Sequence, residues 1–392
     1  FHSTSFNHKP LPKMTMSQLF SPFTLRSLTL ENRVVVSPMC QYICNGDGQM
    51  HDWHLMHLGQ LAMGGAGLLF TEATHVSAVG RISPRCAGLW NDAQEAAMKR
   101  VLDFCKAHGV AKTAIQLAHA GRKASTRPPN QGGQPLTGAE GRWTALGPSP
   151  VPYAPDWPNP EVLDRTGMNE IKAEFVAATE RADHLGLDLL ELHSGHGYLL
   201  HQFFSPLSNQ RQDEYGGSLE KRLKYPLEVF DAVRSAWPAE RPLGVRISAV
   251  DWVEGGTTLE DTISYTAALK ELGCDFVDIT SAGLDSRQRI SLGKGYQVPF
   301  ASAVKKAVNL PVMAVGMIIE PQQAEAIIAA GHADFVMLAR GMMYNPRWAW
   351  HAAHELGVET AYPTQYVRCI PKRWPEAFDL AREPPNAADQ RA

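Results

Sequence analysis

This 392-residue sequence lacks an excess of either charge: 37 Lys and Arg face 40 Asp and Glu, for a formal net charge of −3. A chain without a basic footprint offers no broad surface to nucleic acid or anionic lipid. No apolar run approaches the roughly 18 residues that a membrane-spanning helix needs. The six cysteines, Cys40, Cys44, Cys86, Cys105, Cys274 and Cys369, form no CxxC pair and no dense framework. Reduced thiols and a cytoplasmic setting are therefore expected. The dinucleotide fingerprint GxGxxG is missing as well, since Gly64-Gly65-Ala66-Gly67 precedes the second apolar run and has the wrong spacing. Residues 1–13 hold no acid and no apolar core, so they do not read as a secretory signal. A targeting remnant, a native tail or a cloning scar is expected there, organellar import stays open, and residues 1–16 are set outside the fold.

What is present is ordinary in amount and ordered in pattern. Hydrophobic residues make up 44% and charged residues 20%, as in a globular protein with room for one barrel-sized domain or two smaller ones. Eight short β-branched or apolar runs read as strands, at 33–37, 68–72, 113–117, 189–193, 244–248, 276–280, 311–315 and 335–338. Amphipathic stretches lie between them, including 95–107, 168–186, 222–237, 258–272, 300–308 and 321–330. Strand–helix alternation implies a parallel sheet under helices, and eight repeats fit an α/β fold of the (β/α)8 barrel type. A doubly wound sheet is the competing architecture, disfavoured by the repeat count and the absent fingerprint. One region breaks the rhythm. Residues 126–159 are dense in Pro and Gly, and the periodicity resumes after them, so they read as an insertion after strand 3 that caps the barrel mouth.

Chemistry is expected at the C-terminal ends of barrel strands. The fourth run is apolar until it ends in His193, His196 and Tyr198. Converging imidazole N–H and phenol O–H groups can hold an oxygen anion and deliver a proton. The first run ends in Ser37-Pro38-Met39-Cys40 with Tyr42 behind, and the third carries Gln116 and leads into His119 to Lys123. The fifth carries Arg246, a permanent charge inside a strand that requires an anionic partner. The seventh leads into Gly316-Met317 and the eighth into Ala339-Arg340-Gly341, the positions at which many barrels bind phosphate. A phosphate site, a cation, an amide and a thiol around one mouth suggest a flavin mononucleotide. Two metal readings stand beside this one. His193 and His196 could pair with His201 or Glu191 on zinc, as in barrel hydrolases. His51, His54 and His57 share a helical spacing, although steps of about 300° leave no tight common face, and packing is the expected role. The aromatic patch Trp143, Tyr153 and Trp157 could line a substrate entrance or pack the insertion. Asp213 to Ser218 reads as a capped turn that starts a helix.

Several motifs in order resemble the Old Yellow Enzyme family. They are Ser37-Pro38-Met39-Cys40-x-Tyr42, Gln116-Leu117-x-His119-Ala120-Gly121-Arg122, His193-x-x-His196-Gly197-Tyr198, Asp213-Glu214-Tyr215-Gly216-Gly217-Ser218 and Gln365-Tyr366-x-Arg368. The first and last resemble its thermophilic-like class, which includes xenobiotic-reductase-like members, and the resemblance runs from about Leu19 to Arg368. It implies an FMN-dependent ene reductase on a TIM barrel. NADPH (or NADH) would reduce the flavin, and an α,β-unsaturated carbonyl compound would accept hydride at its β-carbon. By the same resemblance His193 and His196 grip the carbonyl oxygen, Tyr198 protonates the α-carbon and Tyr42 adds a contact to the substrate. Ser37, Pro38, Met39, Cys40, Ala73, Gln116, Arg246, Gly316, Met317, Ala339 and Arg340 are placed against FMN, with Cys40 tuning it. Some relatives have Gly where this chain has Ala339, a change the phosphate loop is expected to accept. Arg368 resembles the class's arginine finger into a neighbouring active site, implying a homodimer or homotetramer. The barrel is then expected over 17–360, with 361–392 as an extension at a subunit interface. A catalytically lapsed flavin-binding barrel is the remaining alternative.

Overall fold

Runs of Val, Ile, Leu and Phe suit a pleated surface buried on both sides, which is what a parallel strand beneath helices presents. In this computed structural model, which describes residues 17–380, they form β1 (Val34–Val36), β2 (Leu68–His75), β3 (Lys112–Ala118), β4 (Leu189–Ser194), β5 (Leu243–Ser248), β6 (Phe276–Thr280), β7 (Val312–Ala314) and β8 (Phe335–Leu338). Neighbours pair in parallel in chain order, and β8 hydrogen-bonds back to β1 to close the barrel. The main helix after each strand is α1 (Asp52–Ala62), α2 (Asp92–His108), α3 (Arg165–His184), α4 (Leu219–Ala236), α5 (Leu259–Glu271), α6 (Val298–Val308), α7 (Pro321–Ala329) and α8 (Trp348–Glu355). The eight expected strands are all barrel strands. Ser218 caps α4 by accepting the Lys221 N–H, the capped turn expected there.

Alternation along the strands divides two cores. Val34 and Val36 join the layer between barrel and helices, whereas Val35 joins the barrel interior with Phe70, Leu189, Phe276 and Phe335. The interior is packed rather than open. A hairpin that the sequence reading passed over (Phe23–Leu25 with Leu28–Leu30) adds Leu25, Leu28 and Leu30 to that interior cluster. Arg26 ties the hairpin turn to Asp275 (Nε–Oδ1 2.5 Å) and to the Ala239 carbonyl (2.6 Å). These anchors adjoin the N-terminal ends of β5 and β6, so the hairpin stops the end of the barrel opposite the strand C-termini.

The Pro/Gly-rich insertion carries more structure than its composition suggests. It contains two short turns (Pro129–Gln131 and Gly138–Glu140) and a two-residue ladder pairing Leu146–Gly147 with Glu161–Val162. Trp143 from this segment packs into a small cluster with Ile82, Ala120, Cys40, Tyr42 and Tyr198, which places the insertion over the mouth. After α8 come a turn, Thr364–Cys369, and a short helix, Pro375–Leu380. Tyr362 and Tyr366 seat this end on Trp350 of α8, with ring centroids 4.7 and 5.7 Å apart. The tail at 1–16 and the last part of the extension, 381–392, lie outside the described residues. Among the described residues no helix is long and apolar enough to cross a membrane.

Candidate active site

The mouth is built on a polar floor inside the barrel. Gln116, Glu191, Arg246 and Asp278 occupy facing positions on β3 to β6, since Gln116 registers with Glu191 and Asp278 with Arg246. Arg246 meets Asp278 at 2.8 Å (Nε–Oδ2) and donates from Nη1 to Ser37 Oγ at 3.1 Å. Asp278 is thus the anionic partner that an arginine in a strand requires. Gln116 donates from Nε2 to Glu191 Oε1 at 2.7 Å. Burial first, then the Asp278 charge, pushes the Glu191 carboxyl well above its ordinary range. Burial also raises Asp278, to about 6. One guanidinium cannot neutralise two buried carboxylates, so Asp278 carries the charge beside Arg246 and Glu191 keeps its proton.

Above the floor stand the histidines. His193 ends the inward-facing row of β4, and the chain then turns through His196 (φ 52°) and Gly197 (φ 75°). Gly197 is required here, because a Cβ would sit 2.2 Å from the Gly283 carbonyl oxygen. Four bonds hold the turn. His196 N–H donates to Ser248 Oγ (2.8 Å), Gly197 N–H to His201 Nδ1 (2.9 Å), and Lys123 Nζ donates to the His196 and Gly283 carbonyls (2.9 and 2.8 Å). His201 in turn reaches Asp251 (Nε2–Oδ1 2.9 Å), both fully buried. His193 Nε2 and His196 Nδ1 lie 3.2 Å apart, and the Tyr198 ring stands edge-on to His193 at 4.9 Å. Tyr42, at φ 52°, joins Cys40 and Tyr198 in the small cluster beside them.

Electrostatics fixes the protonation of this group. Burial first, then nearby cations and imidazoles, holds His193 and His196 well below the usual imidazole range, so both are neutral. Burial first, then the Cys40 thiol, raises the Tyr198 phenol, which keeps its proton; Tyr42 shifts the same way. Burial and the Glu72 carboxylate likewise keep Cys40 a thiol. The site therefore presents neutral donors rather than charges.

The remaining sequence-predicted residues surround the same mouth. Pro38 and Met39 follow β1 half-buried, and Ala73 is buried opposite Gln116 where the β2–β3 register shifts, a bulge at the rim. Gly316 (φ 112°) and Met317 (φ 52°) turn the chain out of β7. Ala339 starts the short helix Arg340–Tyr344 without a side-chain cap, leaving first-turn N–H groups for an anion, with Arg340 exposed beside them. A flavin mononucleotide fits these residues. In their side-chain hydrogen bonds Gln116 uses its Nε2, to Glu191, and Arg246 its Nη1, to Ser37, so an amide oxygen and a cationic donor remain for a polar ring edge, opposite the anion site. Arg368 is apart: it is exposed on the C-terminal turn, and no hydrogen bond, ion pair or ring contact among the described residues joins it to the histidines.

The metal readings do not survive the geometry. His193 and His196 bond to each other, His201 turns to Asp251, and Glu191 faces Gln116. His51 instead caps α1, with the His51 N–H donating to His54 Nδ1, and His54 and His57 are buried. Among the described residues no group of three or more His, Cys, Asp or Glu is arranged to hold a metal ion.

The family model of the NADH:flavin oxidoreductase / NADH oxidase family matches residues 18–359. The chain belongs to this family. NADPH dehydrogenases of Geobacillus sp. (strain WCH70) and Geobacillus thermodenitrificans (strain NG80-2) are 41% and 42% identical to it over 353 and 351 residues, covering 90% and 89% of this chain and 98% of each relative. Morphinone reductase superposes with a TM-score of 0.71 at 27% identity, over 90% of this chain and 93% of that one. A 2-naphthoyl-CoA reductase structure (TM-score 0.77, 21% identity, 86% of this chain and 52% of that one) shares the fold alone. The Old Yellow Enzyme resemblance and the barrel are thereby settled: the chain is a flavin-dependent oxidoreductase of that type.

Sequence reasoning passed over Asp278, Thr280, Gln297 and the anchoring of Lys123. The first had a signal. Asp278 sits at the same inward parity of its strand as Arg246, so the partner that Arg246 demanded was legible one strand away. Lys123 had none, since its two carbonyl partners lie 73 and 160 residues distant.

Proposed function

We propose that this chain is an FMN-dependent ene reductase that takes electrons from NADPH (or NADH) and reduces α,β-unsaturated carbonyl compounds. The observation that carries the reading is the pair of neutral imidazoles, His193 Nε2 and His196 Nδ1, 3.2 Å apart beside a protonated Tyr198. Bound FMN, reduced by the nicotinamide, supplies hydride to the substrate's β-carbon. His193 and His196 hold the carbonyl oxygen, where negative charge grows as the β-carbon becomes saturated, and a preorganised buried donor is worth far more than water there. Tyr198 keeps its proton until the α-carbon needs one, and Tyr42 flanks the same oxygen. Arg246, Gln116 and the Ser37–Cys40 segment would hold the flavin ring, and Gly316, Met317, Ala339 and Arg340 would take its phosphate. The names of the Geobacillus relatives support NADPH as reductant, and a morphinone reductase solved in complex with tetrahydroNAD supports a nicotinamide cofactor as electron donor. We place Arg368 in a neighbouring subunit's site, with residues 361–392 at the interface of a homodimer or homotetramer, and the enzyme in the cytoplasm.

The test is a visible spectrum and one assay. Purified protein should show flavin bands, a phenol should add a long-wavelength charge-transfer band, and 2-cyclohexenone or a maleimide should accelerate NADPH oxidation. Protein that stays colourless after FMN is added rules the reading out. A yellow protein whose NADPH oxidation ignores both alkenes would be a flavin barrel without ene reductase activity.

A further inference from the structure

We propose that Thr280 and Gln297 hold the His196 proton on Nε2 while the site is empty, so that an arriving substrate oxygen must move it to Nδ1. The proposal rests on the reading of His193 and His196 as the oxygen anchor, and it deepens that reading.

The chain of bonds can be followed proton by proton. Gly195 N–H donates to His193 Nδ1 at 3.2 Å, so that nitrogen carries a lone pair and the ring proton of neutral His193 sits on Nε2. His193 Nε2–H then points at His196 Nδ1, 3.2 Å away. At the far side of the second ring, His196 Nε2 lies 3.1 Å from Thr280 Oγ1. Thr280 Oγ1 lies 3.2 Å from Gln297 Oε1, which also accepts the Ser281 hydroxyl at 2.6 Å. A carbonyl oxygen can only accept. The single Thr280 hydroxyl proton therefore goes to Gln297, and the Thr280 oxygen is left to accept the His196 Nε2–H. Only one of the two imidazoles then offers an N–H to the site, and the other offers a lone pair.

A substrate oxygen between His193 Nε2 and His196 Nδ1 needs a hydrogen from each. The relay supplies a route. Turning the Gln297 amide by half a rotation presents its NH2 to Ser281 and Thr280. That turns the Thr280 hydroxyl to donate to His196 Nε2, which must then carry the lone pair: the Nε2 proton is given up to solvent and Nδ1 takes one up before the ligand closes the site. No net charge is created, which matters where burial disfavours an imidazolium. Gln297 is itself buried, and its amide nitrogen adjoins the β7 turn: a Cβ built on Gly316 would stand 2.7 Å from Gln297 Nε2. The residue that sets the tautomer thus also touches the turn assigned to the phosphate.

Histidine labelled with 15N in the FMN-bound protein reads the tautomer directly, with His196 assigned by the signals lost in His196→Gln. In the free enzyme the proton is expected on Nε2, and with p-nitrophenol bound, on Nδ1. Gln297→Met removes the acceptor that draws the Thr280 proton away, so the hydroxyl can donate to His196 Nε2 before the ligand arrives and p-nitrophenol should bind roughly fivefold tighter. Thr280→Val removes the hydroxyl from the empty and the occupied site alike, so in that free enzyme the proton should no longer be held on Nε2, and Thr280→Ser should behave as wild type. Damage to the fold would weaken binding in the Gln297→Met protein. A proton on Nδ1 in the free enzyme, one that stays on Nε2 with phenol bound, or a Gln297→Met protein that binds no tighter overturns the proposal. The tautomer is read without turnover, so an enzyme inert towards enones that still shifts its proton would cost the ene reductase reading and leave this inference standing.

Discussion

A histidine kept neutral by burial ties folding to pH with a sign that can be worked out. His75 at the end of β2 is fully buried, and burial first, then His119, lowers it from 6.5 to about 3. Between those values the unfolded chain binds a proton that the folded chain refuses, so this stability is complete above the unfolded value and is lost as pH falls. His119 (about 3) and His57 (about 4) act in the same sense, whereas Asp278, raised to about 6, and Glu191 act in the opposite one. Only a difference between proteins isolates one group. In His75→Asn the fall in urea-unfolding free energy below about pH 6 should become shallower by up to about 1.4 kcal/mol per pH unit. An unchanged slope would mean that His75 takes up its proton while folded. The site histidines are tested by catalysis instead. Replacing both His193 and His196 with Ala should leave FMN bound, weaken phenol binding and lower kcat/KM for enones on the order of a hundredfold or more. Turnover at the wild-type rate would remove them as the oxygen anchor. These two residues were legible in the sequence because imidazoles at the end of an apolar strand have no packing reason to be there. Thr280 and Gln297 were not, since a threonine ending a strand and a glutamine before a helix are unremarkable until the fold puts them 3.2 Å apart.

At the scale of elements, the barrel was legible because each strand is a short β-branched run bounded by turn residues, and each helix shows the period of 3.6. The hairpin Phe23–Leu25 with Leu28–Leu30 was missed for a physical reason: three-residue strands are too short to show a period, and their burial comes from the barrel they plug. The interior packing is specific enough to test. Gly244 on β5 pairs with Phe276 on β6, and a Cβ at Gly244 would lie 2.3–2.5 Å from the Phe276 ring. Gly244→Ala should therefore cost about 1–3 kcal/mol of stability by overpacking. Phe276→Leu added to it should return part of that loss, although Phe276→Leu alone is destabilising. A double mutant no more stable than Gly244→Ala would show that the glycine is needed for its backbone rather than for the space it leaves. The insertion shows the limit of composition as a guide. Its Pro and Gly content marks a loop, but the Thr137–Glu140 capping box and the Arg127–Glu140 ion pair (2.6 Å) that order it involve residues common in any loop.

At the scale of the molecule the open question is whether one chain completes its own site. The histidines, Tyr198 and the polar floor come from β3 to β6 and the turns above them, all within one barrel. Arg368 does not join them: it is exposed on the turn Thr364–Cys369, which Tyr366 holds against α8 beneath Arg347, 4.6 Å from its ring. An exposed arginine on an ordered turn can serve a second subunit if a twofold axis brings that turn to the neighbour's mouth, and isologous contacts exchange the residue both ways. Complementation separates this from a surface role. Arg368→Ala should raise KM for enones without bleaching the flavin, and the His193→Ala, His196→Ala protein should be nearly inert. When the two are unfolded and refolded together with FMN, mixed dimers bring the intact arginine of one chain to the intact histidines of the other. A class of sites with wild-type KM should then appear, at about a quarter of all sites for random pairing into dimers. If the mixture shows only the high-KM activity of the Arg368→Ala protein while sedimentation shows that the chains have mixed, Arg368 acts at its own chain's surface and each barrel works alone.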